Sequence, residues 1–268
     1  MSTTTLFSPY RICPIGAHID HQGGAVLGRT IKLGTTLEYH ALDSKEIRIT
    51  SDQFGKANFL IGDLDKNHWA RYAQAAARVL NPKRGMKAHV TGSLIGAGLS
   101  SSASVGLAYL KALADVNDIE LTSKELVHLD FELEYNELGL QNGLLDPMSI
   151  IYGRKNALLF MDVVTGSVSP IIDPPSSDSV WIVAYSGVSR ELTKSGFNVR
   201  VAECHEAAAS FKAGRGNWAT FRGKFSRRRK CHCLRICAGG RSTFSAKWNV
   251  SVWAGRFGRS LMRCDSGS

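Results

Sequence analysis

Short apolar runs rich in β-branched residues, bounded by turn formers, open the chain. They predict strands over 10–15, over 25–42 with a break near Gly34, over 46–50 and over 58–62. From Asn67 the period changes. Trp69, Tyr72, Ala73, Ala76 and Leu80 recur at helical spacing, and Asn81-Pro82 ends the run. A further strand is predicted over 86–92, then a glycine-rich turn, then a helix from about Ser101 to Val116. A second helix is predicted from about Ser123, as N-cap, to Leu138, and a third helical segment over 142–152. Residues 156–172 read as a hairpin turning at Thr165-Gly166, residues 180–186 as a buried strand and residues 196–211 as a helix. Strands cluster early and helices follow, which is an α+β pattern, and no repeat period is visible.

The pattern fails after about residue 208. Residues 209–268 contain three Leu or Ile (Leu234, Ile236, Leu261), against 38 in the preceding 208. A segment so poor in aliphatic side chains cannot offset its ordering entropy, so disorder is expected there. Charge divides at nearly the same place. Residues 201–268 hold 14 Lys+Arg and 3 Asp+Glu, while residues 1–200 hold 19 and 20. The net charge of +10 therefore belongs to a basic tail behind a nearly neutral body. Four of the six cysteines also lie in the tail, which argues against a disulfide scaffold for the body. No apolar run is long enough to span a membrane and the N-terminus has no signal-peptide apolar region, so a cytoplasmic protein is expected.

Three stretches of the body carry candidate chemistry. In residues 92–116, Gly92, Gly96 and Gly98 precede Ser100, Ser101 and Ser102 and an amphipathic helix. Glycines let the backbone approach a ligand, and a helix N-terminus offers free N–H groups and partial positive charge that suit phosphate. Serine hydroxyls there either cap the helix or coordinate magnesium. In residues 8–24, Arg11, His18, Asp20 and His21 lie in and after a strand, in a loop closed by Gly23-Gly24. That placement suits ligand contacts, with metal binding by His18, Asp20 and His21 as an alternative. In residues 131–147, Glu134 lies on a helix and Asp146 stands among apolar neighbours after Asn142-Gly143. A carboxylate so placed is a candidate general base.

In this order the three motifs resemble those of the GHMP kinase superfamily, with Gly98–Ala103 (GLSSSA) as the specific match to its second motif. The first motif resembles the galactokinase signature G-R-x-N-x-I-G-E-H-x-D-Y, here YRICPIGAHIDH. Within the superfamily the resemblance is greatest to the galacturonokinase family, through PYRICPIGAHIDHQGG, GLSSSASVGLAYL, LGLQNGLLD and FNVRVAECHEAA, over roughly residues 8–208. The resemblance implies a two-layer sandwich like ribosomal protein S5 domain 2 over 1–155, the start of a C-terminal domain over 156–208, and an aberrant tail over 209–268. It implies an ATP- and Mg2+-dependent sugar 1-kinase. Gly96, Gly98, Leu99, Ser100, Ser101 and Ser102 would hold the ATP phosphates. Ser102 and Glu134 would bind magnesium. Asp146 would accept the proton of the anomeric hydroxyl with Arg11 beside it, and His18 and Asp20 would contact sugar hydroxyls.

Departures from the pattern carry information too. Ala17 stands where galactokinases have Glu, which would repel a substrate carboxylate, so D-galacturonate is expected over galactose. Pro147 follows Asp146 and is expected to bias it away from helical geometry. No third glycine-rich motif follows residue 208, and the tail reads like translation in an unselected frame, as from a frameshift or mis-splicing. The chain is therefore expected to be a truncated kinase of doubtful activity. The competing functions are a galactokinase or other GHMP sugar kinase, a non-catalytic nucleotide- or sugar-binding remnant, and a nucleic-acid-binding protein using residues 222–230. The cysteines of 231–237 fit no common zinc spacing.

Overall fold

A computed structural model describes residues 3–93, 96–174, 180–185, 187 and 196–210. Seven strands form one mixed sheet: β1 (Thr4–Ile15), β2 (Ala25–Ala41), β3 (Glu46–Ser51), β4 (Gly55–Leu60), β5 (Met86–Gly92), β6 (Ala157–Asp162) and β7 (Ser167–Ile172). The spatial order is β4-β3-β5-β2-β6-β7, with β1 also on β2. The 17 residues of β2 pair antiparallel with β1, with β5 through Thr35–Ala41 and with β6 through Ala25–Gly28. The expected break at Gly34 does not occur. Gly34 lies opposite Pro9 with the Ser8 carbonyl against its Cα, and a register shift between Pro9 and Arg11 absorbs the irregularity.

Five helices accompany the sheet: α1 (Arg71–Leu80), α2 (Ser101–Asp115), α3 (Ser123–Glu132), α4 (Leu145–Ile151) and α5 (Phe197–Ser210). α1 is rich in alanine, the best helix former, and Ala73 and Ala75–Ala77 are buried. It ends at Asn81 in a left-handed conformation, with the Asn81 N–H donating to the Ala77 carbonyl. α3 is shorter than predicted, and its N-cap is Thr122 rather than Ser123. The Thr122 hydroxyl accepts from the Glu125 N–H, and the Glu125 carboxylate accepts from the Thr122 N–H. The chain then widens into a π-turn, Leu133–Glu137. The third helical segment starts only at Leu145. Pro147 falls in its first turn, where backbone N–H groups have no helical acceptor, so Asp146 remains helical.

α2 packs on β1 and β2 and against α1 and α3, while α4 packs on β1 and β2. Alternate residues of β3 (Ile47, Ile49) and β2 (Leu37, Tyr39) point into one core with Leu107, Leu110 and Leu113 of α2. This is the two-layer α+β sandwich. A second cluster (Val26, Leu145, Met148, Leu159, Met161) sits under α4 and β6.

Residues 180–185 are not the buried strand that their apolar run predicted. Val180 is 79% and Ile182 84% exposed, and no described strand pairs with them. A strand needs a neighbour to satisfy its backbone, whatever its side chains. Trp181 instead lies under the Arg29 guanidinium, which is also bound to Asp173. The expectations for residues 211–268 (disorder, an aberrant reading frame, a basic patch, a cysteine cluster) lie outside the described residues.

Candidate active site

Three segments far apart in sequence meet where β1, the start of α2 and the start of α4 converge. The Arg11 N–H on β1 donates to the Leu99 carbonyl at 3.1 Å, tying the strand to the glycine-rich turn. Its side chain reaches onward. Nε donates to Asp146 Oδ1 at 2.6 Å and Nη1 to the Gly98 carbonyl at 3.3 Å. The Ser100 hydroxyl donates to the other oxygen, Asp146 Oδ2. Burial opposes the charge on Arg11, but the Asp146 carboxylate outweighs it and raises the Arg11 pKa further.

Ser100 also shapes α2. It holds a left-handed backbone at φ 61° as the N-cap residue, yet its hydroxyl turns to Asp146, and no side chain caps the helix. The first N–H groups of α2 therefore face the cleft without a capping acceptor. Gly96 and Gly98 hold positive φ beside it.

The cleft has a volume of about 1290 Å³. Arg11, Ala17, His18, Asp20, Gly96, Gly98, Leu99, Ser100, Ser101, Ser102 and Asp146 all line it. Of the residues given a role by the kinase resemblance, Glu134 is the one that does not. It lies beneath the floor, 2% exposed, in the π-turn. Asn142 donates to its Oε2 at 2.6 Å, and its Oε1 has no hydrogen-bond partner. Burial, then repulsion by Asp146, push the Glu134 carboxyl up to about 7 against the pull of Asn142.

Asp20 occupies a 3-10 turn (Asp20–Gln22) in the loop after β1 and accepts from the Leu145 N–H at 3.4 Å. Gly143 passes so close to this carboxylate that a Cβ there would collide with it. Burial, then Asp146, raise the Asp20 pKa. Among the described residues no group of three His, Cys, Asp or Glu side chains is arranged to hold a metal, so His18, Asp20 and His21 do not form the alternative metal cluster.

Two members of the site escaped the sequence reading. Asn142 was visible only as part of a turn, and its pairing with Glu134 follows no helical spacing. Asp130, one helical turn before Glu134, is fully buried between α3 and α2 with neither oxygen partnered. A Cβ on Gly106 of α2 would stand 2.6 Å from its Oδ1. Burial, then the Glu134 and Asp146 charges, hold its pKa well above the ordinary value. No helix of the described residues is long and apolar enough to cross a membrane.

Known proteins share this fold. Residues 68–154 match the GHMP kinases N terminal domain. Galacturonokinase of Arabidopsis thaliana is 35% identical over 240 residues, covering 78% of this chain and 56% of the relative. A galactokinase of Lacticaseibacillus paracasei is 32% identical over 222 residues, covering 78% and 57%. The structure of Lactococcus lactis galactokinase complexed with galactose superimposes with a TM-score of 0.71 at 27% identity, covering 79% of this chain and 57% of that one. Methanococcus jannaschii mevalonate kinase shares the fold at a TM-score of 0.53 and 22% identity, covering 63% and 56%. The chain thus spans a little over half the length of the relatives it matches. With the glycine-rich turn, the two-layer sandwich and the matched residues in agreement, the chain carries the N-terminal domain of the GHMP kinases.

Proposed function

We propose that this chain serves an ATP-dependent sugar 1-kinase of the GHMP superfamily, with D-galacturonate as its sugar and the sugar 1-phosphate as its product. The observation that carries the reading is the Arg11–Asp146–Ser100 constellation beside the uncapped start of α2. Phosphoryl transfer asks a protein chiefly to position its reactants and to neutralise charge. The N–H groups at Ser101 and Ser102, with the Gly96 and Gly98 backbone, would receive the ATP phosphates. Asp146 would take the proton of the anomeric hydroxyl, while Arg11 and Ser100 hold its two oxygens in place. His18 and Asp20 would orient the sugar.

The residues present fit a magnesium ion. Oε1 of the buried Glu134 carboxyl has no hydrogen-bond partner, Ser102 at the start of α2 is near enough to favour the ionised form, and a cation there would offset the cost of burying its charge. Ser102 and Glu134 would hold the ion, which would supply positive charge against the charge developing on the transferred phosphate. Two observations support galacturonate. Ala17 lines the cleft where an acidic residue would repel a substrate carboxylate, and the Arabidopsis relative is a galacturonokinase. The division into a domain over 1–155 and the beginning of a second over 156–208, and a cytoplasmic location, belong to the same proposal.

The test is release of ADP by the purified chain with galacturonate or galactose. Turnover with galacturonate that falls by roughly 10²–10⁴-fold in Asp146→Asn is expected of a general base. Turnover untouched by that substitution would refute the assignment.

A further inference from the structure

The loop between Gly16 and Gly24 carries a feature that the phosphoryl-transfer chemistry does not use. Two imidazoles meet there on one phenyl ring, and a third stands beside them. His18 tilts over Phe197 of α5 with centroids 5.0 Å apart, and His21 meets the same ring edge-on at 5.9 Å. His21 stands 5.7 Å from His18 and 6.4 Å from His205, further along α5. The loop that holds them is tightly fixed: Ile19, Gln22, Gly23 and Gly24 all donate backbone hydrogen bonds within it, and His18 holds a left-handed φ of 65°.

The tautomer of His21 follows from its neighbour. The Gln22 side-chain amide lies 2.6 Å from His21 Nδ1 and is able only to donate, so Nδ1 accepts and the ring proton sits on Nε2. That Nε2–H is buried and has no acceptor. Leaving such a donor without a partner is costly unless a ligand or water completes it. The charge on His21 is opposed first by burial and then by His18 and His205, which push its pKa down to about 4. Among the described residues no carboxylate forms an ion pair with these histidines, and the nearby Asp20 carboxylate is engaged by the Leu145 N–H. His18, Phe197 and Ala17 line the cleft, and His21 and His205 stand behind them. Relative to the galactokinase signature, the loop has lost an acid at Ala17 and has His21 in the position of a Tyr.

We propose that His18, His21 and His205 form a subsite for the carboxylate of an acidic sugar, in which Ala17 leaves the space and the Nε2–H of His21 is a donor. The inference rests on the sugar-kinase reading and assigns the acid selectivity to named side chains. A carboxylate seated there supplies the acceptor that the buried Nε2–H of His21 lacks.

The experiment is calorimetric titration of the full chain with D-galacturonate and with D-galactose, for the native protein and for His21→Tyr and His205→Gln, each checked for cooperative thermal unfolding. The expected result is a fall of roughly tenfold or more in the galacturonate-to-galactose affinity ratio for both variants, as loss of a charge-assisted hydrogen bond implies. His205→Gln keeps the test open if His21→Tyr fails to fold. A ratio that does not move, or equal losses for both sugars, overturns the subsite and leaves the kinase reading standing. Binding of neither sugar by the native chain overturns that reading and the subsite with it.

Discussion

Replacing Glu134 by glutamine (Glu134→Gln) isolates the cost of burying one carboxyl. In the native chain this group titrates near 7 instead of its ordinary 4.5, because burial and the Asp146 charge disfavour its ionised form. The folded pKa is the raised one, so the native state binds the extra proton and stability is greatest at low pH. It declines as pH climbs from 4.5 to about 7 and levels off above, where folded and unfolded chains are both deprotonated at this site. A shift of this size corresponds to about 3 kcal/mol of stability lost across that window. The glutamine of the variant carries no proton to lose. Its carbonyl oxygen accepts from Asn142 as Oε2 does now, and its amide takes the position of the unpartnered Oε1. The assay is urea denaturation of both proteins at pH 5, 6, 7 and 8 in the absence of divalent cations. Groups elsewhere that titrate the same way in both chains cancel in the difference. The variant is expected to gain on the native protein by about 2.5 kcal/mol between pH 5 and pH 8. A difference that stays constant with pH would show that Glu134 is not buried as described.

The other expectations concern specificity and helix ends. Ala17→Glu places an acid in the cleft and is expected to lower kcat/KM for galacturonate by at least tenfold while raising that for galactose, measured by ADP release; galacturonate turnover unchanged from the native chain refutes the repulsion argument. Thr122→Ala removes the hydroxyl that accepts from the Glu125 N–H and is expected to cost about 1 kcal/mol in chemical denaturation, with no change in substrate preference.

What the chain's pattern revealed depended on whether a feature has a period. α2 and its glycine-rich turn were legible because the apolar repeat, the glycines and the serines all agree on one start. The β6–β7 hairpin was legible from its Thr165-Gly166 turn. The π-turn was not, since a helix that widens by one residue keeps nearly the same apolar spacing, and the predicted helix simply ran on to Leu138. Residues 180–185 misled because a continuous apolar run has no period at all and says nothing about a pairing partner. In the cleft, residue types announced themselves, but pairings did not. Arg11 and Asp146 were each visible. That Ser100 serves Asp146 rather than the helix cap is set by where α4 comes to rest against α2.

The contacts that assemble the cleft join residues 87 and 135 positions apart in the chain. Closing loops of that length is entropically slow, and neither contact forms within any single hairpin or helix pair. The ion pair therefore forms only when α2 and α4 have both come to rest on β1. A substitution deep in α2 or under α4 that leaves every cleft residue in place still loosens the Arg11–Asp146 pairing. Exchange protection of the Arg11 amide, bonded to Leu99, is a direct gauge of how often the domain visits that open form.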